Sequence, residues 1–147
     1  MDYAKTLRDM GLSDDQIAAT TIDGKPLHEA TAKTKEHRYG RFRSKWEAMY
    51  AAELDSMKAA GEIEAWDYET LRLKLTEPRV VHDKTRPGIW YTPDFAVWIP
   101  EKPLRLVEVK GYQRIAAINR YKVAVEKFPR FDWVMVTRKD NRWETIL

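Results

Sequence analysis

The sequence predicts an α/β protein in which a mixed central β-sheet is flanked by helices and preceded by a short helical N-terminal appendage. Three observations predict it. Residues 45–60 carry a strong helix signal, and residues 63–109 hold several strand-like apolar runs. Residues 114–127 place their apolar side chains on one helical face and lead into a further strand at 131–137. A helix, several strands, then a helix and a strand is the order expected of a mixed sheet covered by helices.

Composition restricts the class of protein. The chain has 147 residues, 44% of them hydrophobic and 33% charged, which suits one globular domain with a sizeable core. It has no apolar stretch near the roughly 18 residues of a membrane span, and its charged N-terminus is unlike a signal peptide. The absence of cysteine excludes disulfides and thiolate metal sites and fits a cytoplasmic protein. A net charge of +3 is too small to indicate a nucleic-acid partner by itself.

The N-terminal region is predicted to be helical but separate from the main domain. Residues 4–10 form a short predicted helix, and Ser13 with Gln16 is a capping-box pattern that starts a second one. The stretch that follows has turn chemistry and is interpreted as a linker. We therefore expect residues 1–35 to form an arm or appendage and residues 36–147 to form the main domain.

A basic segment precedes the first strong helix. Residues 33–45 contain six Lys or Arg against one Glu, with Tyr39 and Phe42 interleaved. The segment runs into a second capping box, formed by Ser44 and Glu47, which predicts the start of the 45–60 helix. In that motif the Glu47 side chain is expected to accept from the Ser44 backbone N–H.

The middle of the chain is predicted to be β. Residues 63–68 and 70–76 alternate apolar and polar side chains at period two, the second run cleanly. Residues 77–89 contain two prolines, a glycine and several charges and are predicted to be a loop. Further strands are predicted at 90–99, 104–109, 131–137 and, as a short edge strand, 143–147.

Three polar residues stand in these apolar runs. Glu108 and Lys110 are two apart, so on a strand both side chains point to one face. Asp94 follows Pro93 and opens onto another apolar strand. Two carboxylates, the backbone carbonyl of Val109 and an ammonium are what a magnesium site needs to hydrolyse a phosphodiester. The alternative is a solvated strand face that carries an ordinary ion pair.

Four short motifs stand in order along the chain. They are Ser44-Lys45-Trp46-Glu47-Ala48, Gly61-Glu62-Ile63, Tyr91-Thr92-Pro93-Asp94-Phe95 and Glu108-Val109-Lys110-Gly111. Together they resemble the motifs of the PD-(D/E)XK nuclease superfamily, and in particular those of short phage endonucleases related to endonuclease I and other junction-resolving enzymes. The resemblance covers about residues 36 to 138.

The resemblance implies a restriction-endonuclease-like fold and a Mg²⁺-dependent DNA endonuclease, with Mn²⁺ able to substitute. It implies that Asp94 and Glu108 bind the metal, that Lys110 acts on the attacking water and that Glu47 reaches the site from its helix. It also implies branched or structured DNA such as a Holliday junction as substrate. Cutting two strands with one site per chain predicts a homodimer, and the relatives suggest a phage-encoded protein in the cytoplasm of a bacterial host.

Seven basic residues on either side of these motifs, together with the polar Gln113, are the predicted DNA contacts, although a solvated helix lead-in would also explain the first group. These residues are Arg38, Arg41, Arg43, Lys45, Gln113, Arg114, Arg120 and Lys122. Two other functions stay open: a nicking or restriction-type nuclease that finds a specific sequence, and a non-catalytic DNA-binding or assembly protein. A histidine-based metal centre is disfavoured because the three histidines are scattered.

Overall fold

The computed structural model describes residues 3–18, 20, 39–112 and 114–147. Within these residues no helix has the length and apolar character needed to cross a membrane. The helices are α1 (Tyr3–Asp9), α2 (Asp14–Ala18), α3 (Lys45–Ala59) and α4 (Ile115–Lys127). The strands are β1 (Ala65–Tyr68), β2 (Leu73–Lys74), β3 (Arg79–Val81), β4 (Lys84–Arg86), β5 (Trp90–Tyr91), β6 (Phe95–Trp98), β7 (Arg105–Val109), β8 (Asp132–Lys139) and β9 (Arg142–Thr145).

Five strands form the central sheet, in the order β1-β6-β7-β8-β9. Neighbours are antiparallel except β7 and β8, which run parallel and are joined by α4. A parallel pair needs such a crossover because its second strand must start at the same end of the sheet as the first. The predicted mixed sheet flanked by helices is confirmed.

Both faces of the central sheet are covered because its inner strands alternate between two apolar cores. Phe95 and Val107 pack in one cluster with Leu54 of α3. Leu106 packs in the other cluster with Tyr121 of α4. Since successive strand residues point to opposite faces, the run that begins at Leu106 places Glu108 on the α4 face. An apolar sequence on both faces is what a central strand requires.

The first two helices belong to the second of these cores. Tyr3, Leu7 and Leu12 are buried in the cluster that also contains Leu106. The predicted capping box of α2 is present, because Ser13 Oγ accepts from the Gln16 N–H at 3.2 Å and Gln16 Oε1 accepts from the Ser13 N–H at 2.9 Å. Over residues 3–18 the expected arm is therefore packed into the fold, because its apolar residues complete the α4 face. The expected boundary at residue 35 lies outside the described residues.

Three strand predictions need correction. The single strand expected at 90–99 is two strands, β5 and β6, separated at Pro93 and Asp94, because proline has no N–H with which to continue a ladder. The strand expected at 70–76 is reduced to β2, which pairs with β5. The loop expected at 77–89 contains the β3–β4 hairpin. That hairpin turns through His82 and Asp83, which both have positive φ. The pair is not the Asn-Gly or Asp-Gly that usually signals a hairpin in a sequence, so the turn was not predicted.

The packing of α1 makes a stability prediction. Leu7 is fully buried, so Leu7→Ala leaves a cavity and should lower the free energy of unfolding by about 2–4 kcal/mol. Lys5→Ala, in the same helix but with a side chain that is 73% exposed, should change it by less than about 0.5 kcal/mol. Urea unfolding monitored by tryptophan fluorescence measures both. Equal, small effects would mean that α1 does not belong to the core.

Candidate active site

A cleft of about 540 Å³ opens where β6 begins and β7 ends. It is lined by the four residues predicted to be catalytic and by seven others. The lining residues are Arg43, Glu47, Glu69, Trp90, Tyr91, Thr92, Asp94, Glu108, Lys110, Ala117 and Arg120. Asp94, Glu108, Lys110 and Glu47, which are up to 63 positions apart in the chain, are thus brought to one cavity.

The strand register explains how the cleft forms. Continuing the β6–β7 pairing beyond its last paired residues sets Asp94 opposite Glu108 and Pro93 opposite Val109. Pro93 has no N–H to donate to the Val109 carbonyl, so the ladder stops there. The Val109 N–H donates instead to the Asp94 carboxylate at 2.7 Å. Because the N–H and C=O of a strand residue point to the same side, the Val109 carbonyl is directed toward the same edge.

Glu108 is held from two sides although it is buried. Its Oε2 accepts a hydrogen bond from the Tyr91 hydroxyl at 2.6 Å, and its Oε1 forms an ion pair with the Lys110 ammonium. The Lys110 backbone is fixed in turn, since its N–H donates to the Val136 carbonyl at 2.8 Å and its carbonyl accepts from the Thr137 hydroxyl at 2.8 Å. The ammonium therefore has a defined position beside Glu108.

The cleft has an excess of negative charge. Burial raises the pKa of Asp94 well above its ordinary value of 3.8, and the nearby carboxylates of Glu108 and Glu47 raise it further. The Val109 N–H and the Lys110 ammonium oppose this effect only in part. Burial and Glu108 also raise the pKa of Tyr91, which keeps its hydroxyl protonated as a donor. An added cation would relieve the repulsion among these carboxylates.

Glu47 combines a structural and a cleft position. Its N–H donates to Ser44 Oγ at 3.1 Å, as the capping-box prediction requires. The predicted return bond to the Ser44 N–H is wrong, because the carboxylate turns toward the sheet. Its Oε2 instead accepts from the Tyr68 hydroxyl at 2.5 Å and from the Arg43 N–H at 3.2 Å, and its Oε1 accepts from the Ser44 hydroxyl at 3.0 Å. Glu47 is thus buried at the helix start while still lining the cleft.

Of the predicted DNA contacts, Arg43 and Arg120 line the cleft. The Arg43 guanidinium forms an ion pair with Glu69 at 3.2 Å while its side chain stays largely exposed. Arg120 reaches the cleft from α4 and is exposed. These two arginines flank the carboxylates, so a phosphate entering the cleft would meet positive charge as well.

The other predicted contacts lie elsewhere. The Arg41 guanidinium stacks on Trp66, 5.0 Å from the ring centroid, and Lys122 lines a separate apolar pocket beside Trp133. Lys45 and Arg114 are exposed but are not among the residues that line the cleft. Arg38 and Gln113 lie outside the described residues.

The sequence reading missed the two tyrosines that hold the carboxylates. Tyr91 binds Glu108 and Tyr68 binds Glu47. Tyr91 stands in the motif Tyr-Thr-Pro-Asp, three positions before Asp94, which is the signal that could have identified it. Tyr68 gives no such signal, because it meets Glu47 only through the packing of α3 on the sheet.

The donors in the cleft fit a hard divalent cation. Asp94, Glu108 and the Val109 carbonyl are all oxygen donors, and the lining residues include no histidine, which suits Mg²⁺ or Mn²⁺ rather than zinc. Across the described part of the chain, no three His, Cys, Asp or Glu side chains are gathered as a preformed ligand cage. Magnesium does not need one, since it is commonly held by one or two carboxylates together with water molecules.

The raised pKa of Asp94 makes a prediction about stability. Between pH 3.8 and the raised pKa the folded state binds more protons than the unfolded state, so stability falls as the pH rises through that range. Asp94→Asn removes the buried charge and can still accept from the Val109 N–H. In EDTA it should unfold at a higher temperature than the wild type at pH 7–8, with a gain on the order of 1 kcal/mol or more.

Thermal unfolding measured from pH 4 to 8 checks this expectation. The gain should shrink toward the acid end, where Asp94 of the wild type becomes protonated. The matched control is Asp140→Asn, at an exposed turn position, which should change the unfolding temperature little at any pH. A destabilised Asp94→Asn protein at pH 8 would contradict the charge argument.

Comparisons with known proteins add a family. No curated protein matches the chain. One similar solved structure is the crystal structure of protein VC1899 from Vibrio cholerae, with a TM-score of 0.42 and 16% sequence identity; the match covers 95% of this chain and 40% of that one. The chain therefore spans less than half the length of that protein. Residues 22–142 match the family described as "Protein of unknown function (DUF1064)", and since this is most of the chain, the protein belongs to the DUF1064 family.

Proposed function

We propose that this protein is a Mg²⁺-dependent DNA endonuclease that hydrolyses phosphodiester bonds. The observation that carries the proposal is the meeting of Asp94, Glu108 and Lys110 in one cleft at the end of the sheet. Two carboxylates beside an ammonium, with a backbone carbonyl at the same edge, suit metal-assisted attack of water on a phosphodiester. The resemblance of the four motifs to PD-(D/E)XK nucleases supports the same reading.

Asp94, Glu108 and the Val109 carbonyl would hold the metal. Bound there, Mg²⁺ supplies a Lewis acid and a water molecule of lowered pKa. In the absence of a cation, burial beside the Glu108 and Glu47 carboxylates opposes ionisation of Asp94 and raises its pKa. This repulsion favours occupation of the cleft by a cation.

Lys110 is assigned the task of orienting the attacking water and offsetting negative charge that develops on the phosphate. Its ammonium contacts Glu108 and is partly exposed, with 20% of the side chain accessible. It is therefore fixed on its inner side and open toward the cleft. Point charges positioned before the reaction stabilise a transition state more effectively than mobile ones.

The remaining cleft residues are assigned to binding the DNA strand and to positioning the catalytic side chains. Arg43 and Arg120 are assigned to phosphates of the bound strand. Tyr91 keeps the Glu108 carboxylate in place, and Glu47 joins the start of α3 to the cleft through Tyr68. Since Glu47 already has three hydrogen bonds to protein groups, its role is to position its neighbours and to add negative charge.

The preferred substrate is proposed to be branched or otherwise structured DNA, as the resemblance implies. One cleft per chain cuts one strand, so symmetric cutting of a junction or of both strands needs a homodimer. A specific recognition sequence, the alternative for a nicking or restriction-type enzyme, would show as discrete fragments from a long duplex.

The central test is cleavage of a labelled four-way junction, a linear duplex and a single strand in Mg²⁺, Mn²⁺ or EDTA. The wild type should cut in Mg²⁺ or Mn²⁺ and not in EDTA. Lys110→Ala should lower the cleavage rate by about 10²–10⁴-fold, because it removes the group placed to act on the water. Asp94→Asn should reduce the rate at least as much while the protein stays folded.

The matched control is Lys102→Ala, in the exposed turn at the other end of the β6–β7 pair, which should cut at the wild-type rate. Absence of cleavage of every substrate in both metals would refute the nuclease and favour a non-catalytic DNA-binding protein. Normal cutting by Lys110→Ala would leave a nuclease but refute this site.

Tyr91→Phe tests the positioning of Glu108. The substitution keeps the ring and removes the hydrogen bond, so Glu108 should bind the metal less well. We expect the Mg²⁺ concentration for half-maximal cleavage to rise by about 10-fold or more. Tyr121→Phe is the control: Tyr121 packs edge-on against Tyr91 in the same core. Burial and the Glu108 charge raise the pKa of Tyr121 to about 12, so its hydroxyl stays protonated. The hydroxyl that donates to Glu108 is that of Tyr91. Equal metal dependence in the two variants would contradict the assignment.

A further inference from the structure

Residues 72–91 form a two-stranded antiparallel ribbon, here called the basic ribbon. At its base β2 pairs with β5, and at its tip β3 pairs with β4. Between these pairs the Leu75 N–H donates to the Ile89 carbonyl at 2.8 Å. The basic ribbon was expected to be mainly a loop, and the cleavage chemistry proposed above does not use its tip.

The basic ribbon is, after residues 33–45, a second positively charged segment of the chain. It holds five Lys or Arg against two carboxylates, a net charge of +3 that equals the net charge of the whole protein. One of those carboxylates, Glu77, is already paired with Lys74 at the base. The other, Asp83, lies in the tip turn, so the tip carries Arg79, Lys84 and Arg86 against one carboxylate and presents net positive charge to the solvent.

The cations of the tip share one face. Arg79 lies directly opposite Arg86, and Val81 lies directly opposite Lys84. Residues two apart on a strand, and residues directly opposite across a ladder, point to the same side. Arg79, Lys84 and Arg86 therefore lie on one face of the tip, and all three are exposed.

This arrangement is unfavourable for an isolated hairpin. Like charges directly opposite on an antiparallel pair destabilise it, and Arg79 faces Arg86. Within the described residues, none of the three tip cations forms an ion pair with a carboxylate. An anionic ligand on this face would remove the repulsion, so the pattern points to a polyanion outside the protein.

The basic ribbon is nevertheless a built element. His82 and Asp83 both have positive φ (49° and 58°) at the tip, which is the backbone of a type I′ turn and matches the twist of the strands. Near the base, a Cβ added to Gly88 would overlap the Thr76 carbonyl oxygen, so the two strands approach as closely as only glycine allows. The tip is thus held at a defined place by the turn and the close crossing.

The base of the basic ribbon joins the cleft. Trp90 lines the cleft, and two cations lie over its ring: the Arg72 guanidinium at 4.6 Å and the Lys74 ammonium at 5.3 Å from the centroid. Positive groups therefore extend from the cleft wall into the element that carries the three tip cations.

We propose that the basic ribbon is a duplex-DNA-binding element, in which Arg79, Lys84 and Arg86 contact phosphates beside the strand held in the cleft. A two-stranded ribbon has the width that the major groove of B-form DNA admits, whereas the major groove of A-form RNA is too narrow. The choice of DNA as the ligand rests on the proposed nuclease function. The binding test described below does not require that the protein cleaves DNA.

The test measures binding of the full-length protein to a labelled 24-base-pair duplex by fluorescence anisotropy in EDTA, from 50 to 200 mM salt. The variant is Arg79→Ser/Lys84→Ser/Arg86→Ser. Each lost phosphate contact makes the slope of log K against log salt shallower by about 0.9. Three lost contacts predict a slope shallower by about 2.7, so that this salt increase weakens wild-type binding about 40-fold more than variant binding.

The matched control replaces three exposed lysines elsewhere, Lys58→Ser/Lys102→Ser/Lys139→Ser, and should keep the wild-type slope. Equal slopes for ribbon variant and wild type, or the same change in the control, would overturn the proposal. So would an equal loss on single-stranded DNA or duplex RNA of the same sequence. Lys84→Glu alone gives a second variant if the triple variant fails to fold, with a slope shallower by about 0.9 or more expected.

The two proposals can fail separately. A wild type that cuts DNA while the ribbon variant binds with an unchanged slope refutes the ribbon and leaves the nuclease. A wild type that binds duplex with the ribbon-dependent slope but cuts nothing refutes the nuclease and leaves the ribbon.

Discussion

The hydrogen bond from the Val109 N–H to the Asp94 carboxylate is the interaction on which the candidate site depends. Pro93 lacks the N–H that would pair with the Val109 carbonyl, and the Val109 N–H donates to a side chain. That side chain is a carboxylate, held at the strand end opposite Glu108. The end of the β6–β7 ladder thus holds two carboxylates and a backbone carbonyl at one sheet edge, where the cleft opens.

The same arrangement opposes stability. Glu47, Asp94 and Glu108 line one partly buried cavity, and burial together with the other two carboxylates raises the pKa of Asp94. The fold tolerates this because each carboxylate is hydrogen-bonded: Glu108 by Tyr91, Glu47 by Tyr68 and Asp94 by a backbone N–H. Hydrogen bonds satisfy the oxygens without neutralising the charge. An oriented set of carboxylates with only partial charge compensation is characteristic of sites that bind or act on charged groups.

The sequence predicted those parts of the fold that local patterns determine. Helix α3 has its capping box at Ser44, and β7 shows its double-sided apolar run, so both were expected within two residues of their bounds. The meeting of Asp94 and Glu108 was expected from the alternation of side chains along strands and from the resemblance of the motifs to those of PD-(D/E)XK nucleases. The partners of Glu47 could not be predicted, since Tyr68 and Arg43 reach it through the packing of α3 against the sheet. The hairpin at Val81–Lys84 was missed because prolines on both sides resemble a loop and His82-Asp83 is an uncommon turn pair.

In the proposed nuclease, the cleft and the basic ribbon have different electrostatic tasks. Carboxylates that suit a cation repel the phosphates of a nucleic acid, and Arg43 is itself partly neutralised by Glu69. The basic ribbon carries a formal net charge of +3, and besides residues 33–45 it is a positively charged part of the sequence that can attract a polyanion. Phosphate contacts supply most of the sequence-independent affinity for DNA. In the proposed nuclease, an anionic cleft and a cationic binding element are therefore complementary requirements, and the three exposed cations on one face of the tip suit the second of them.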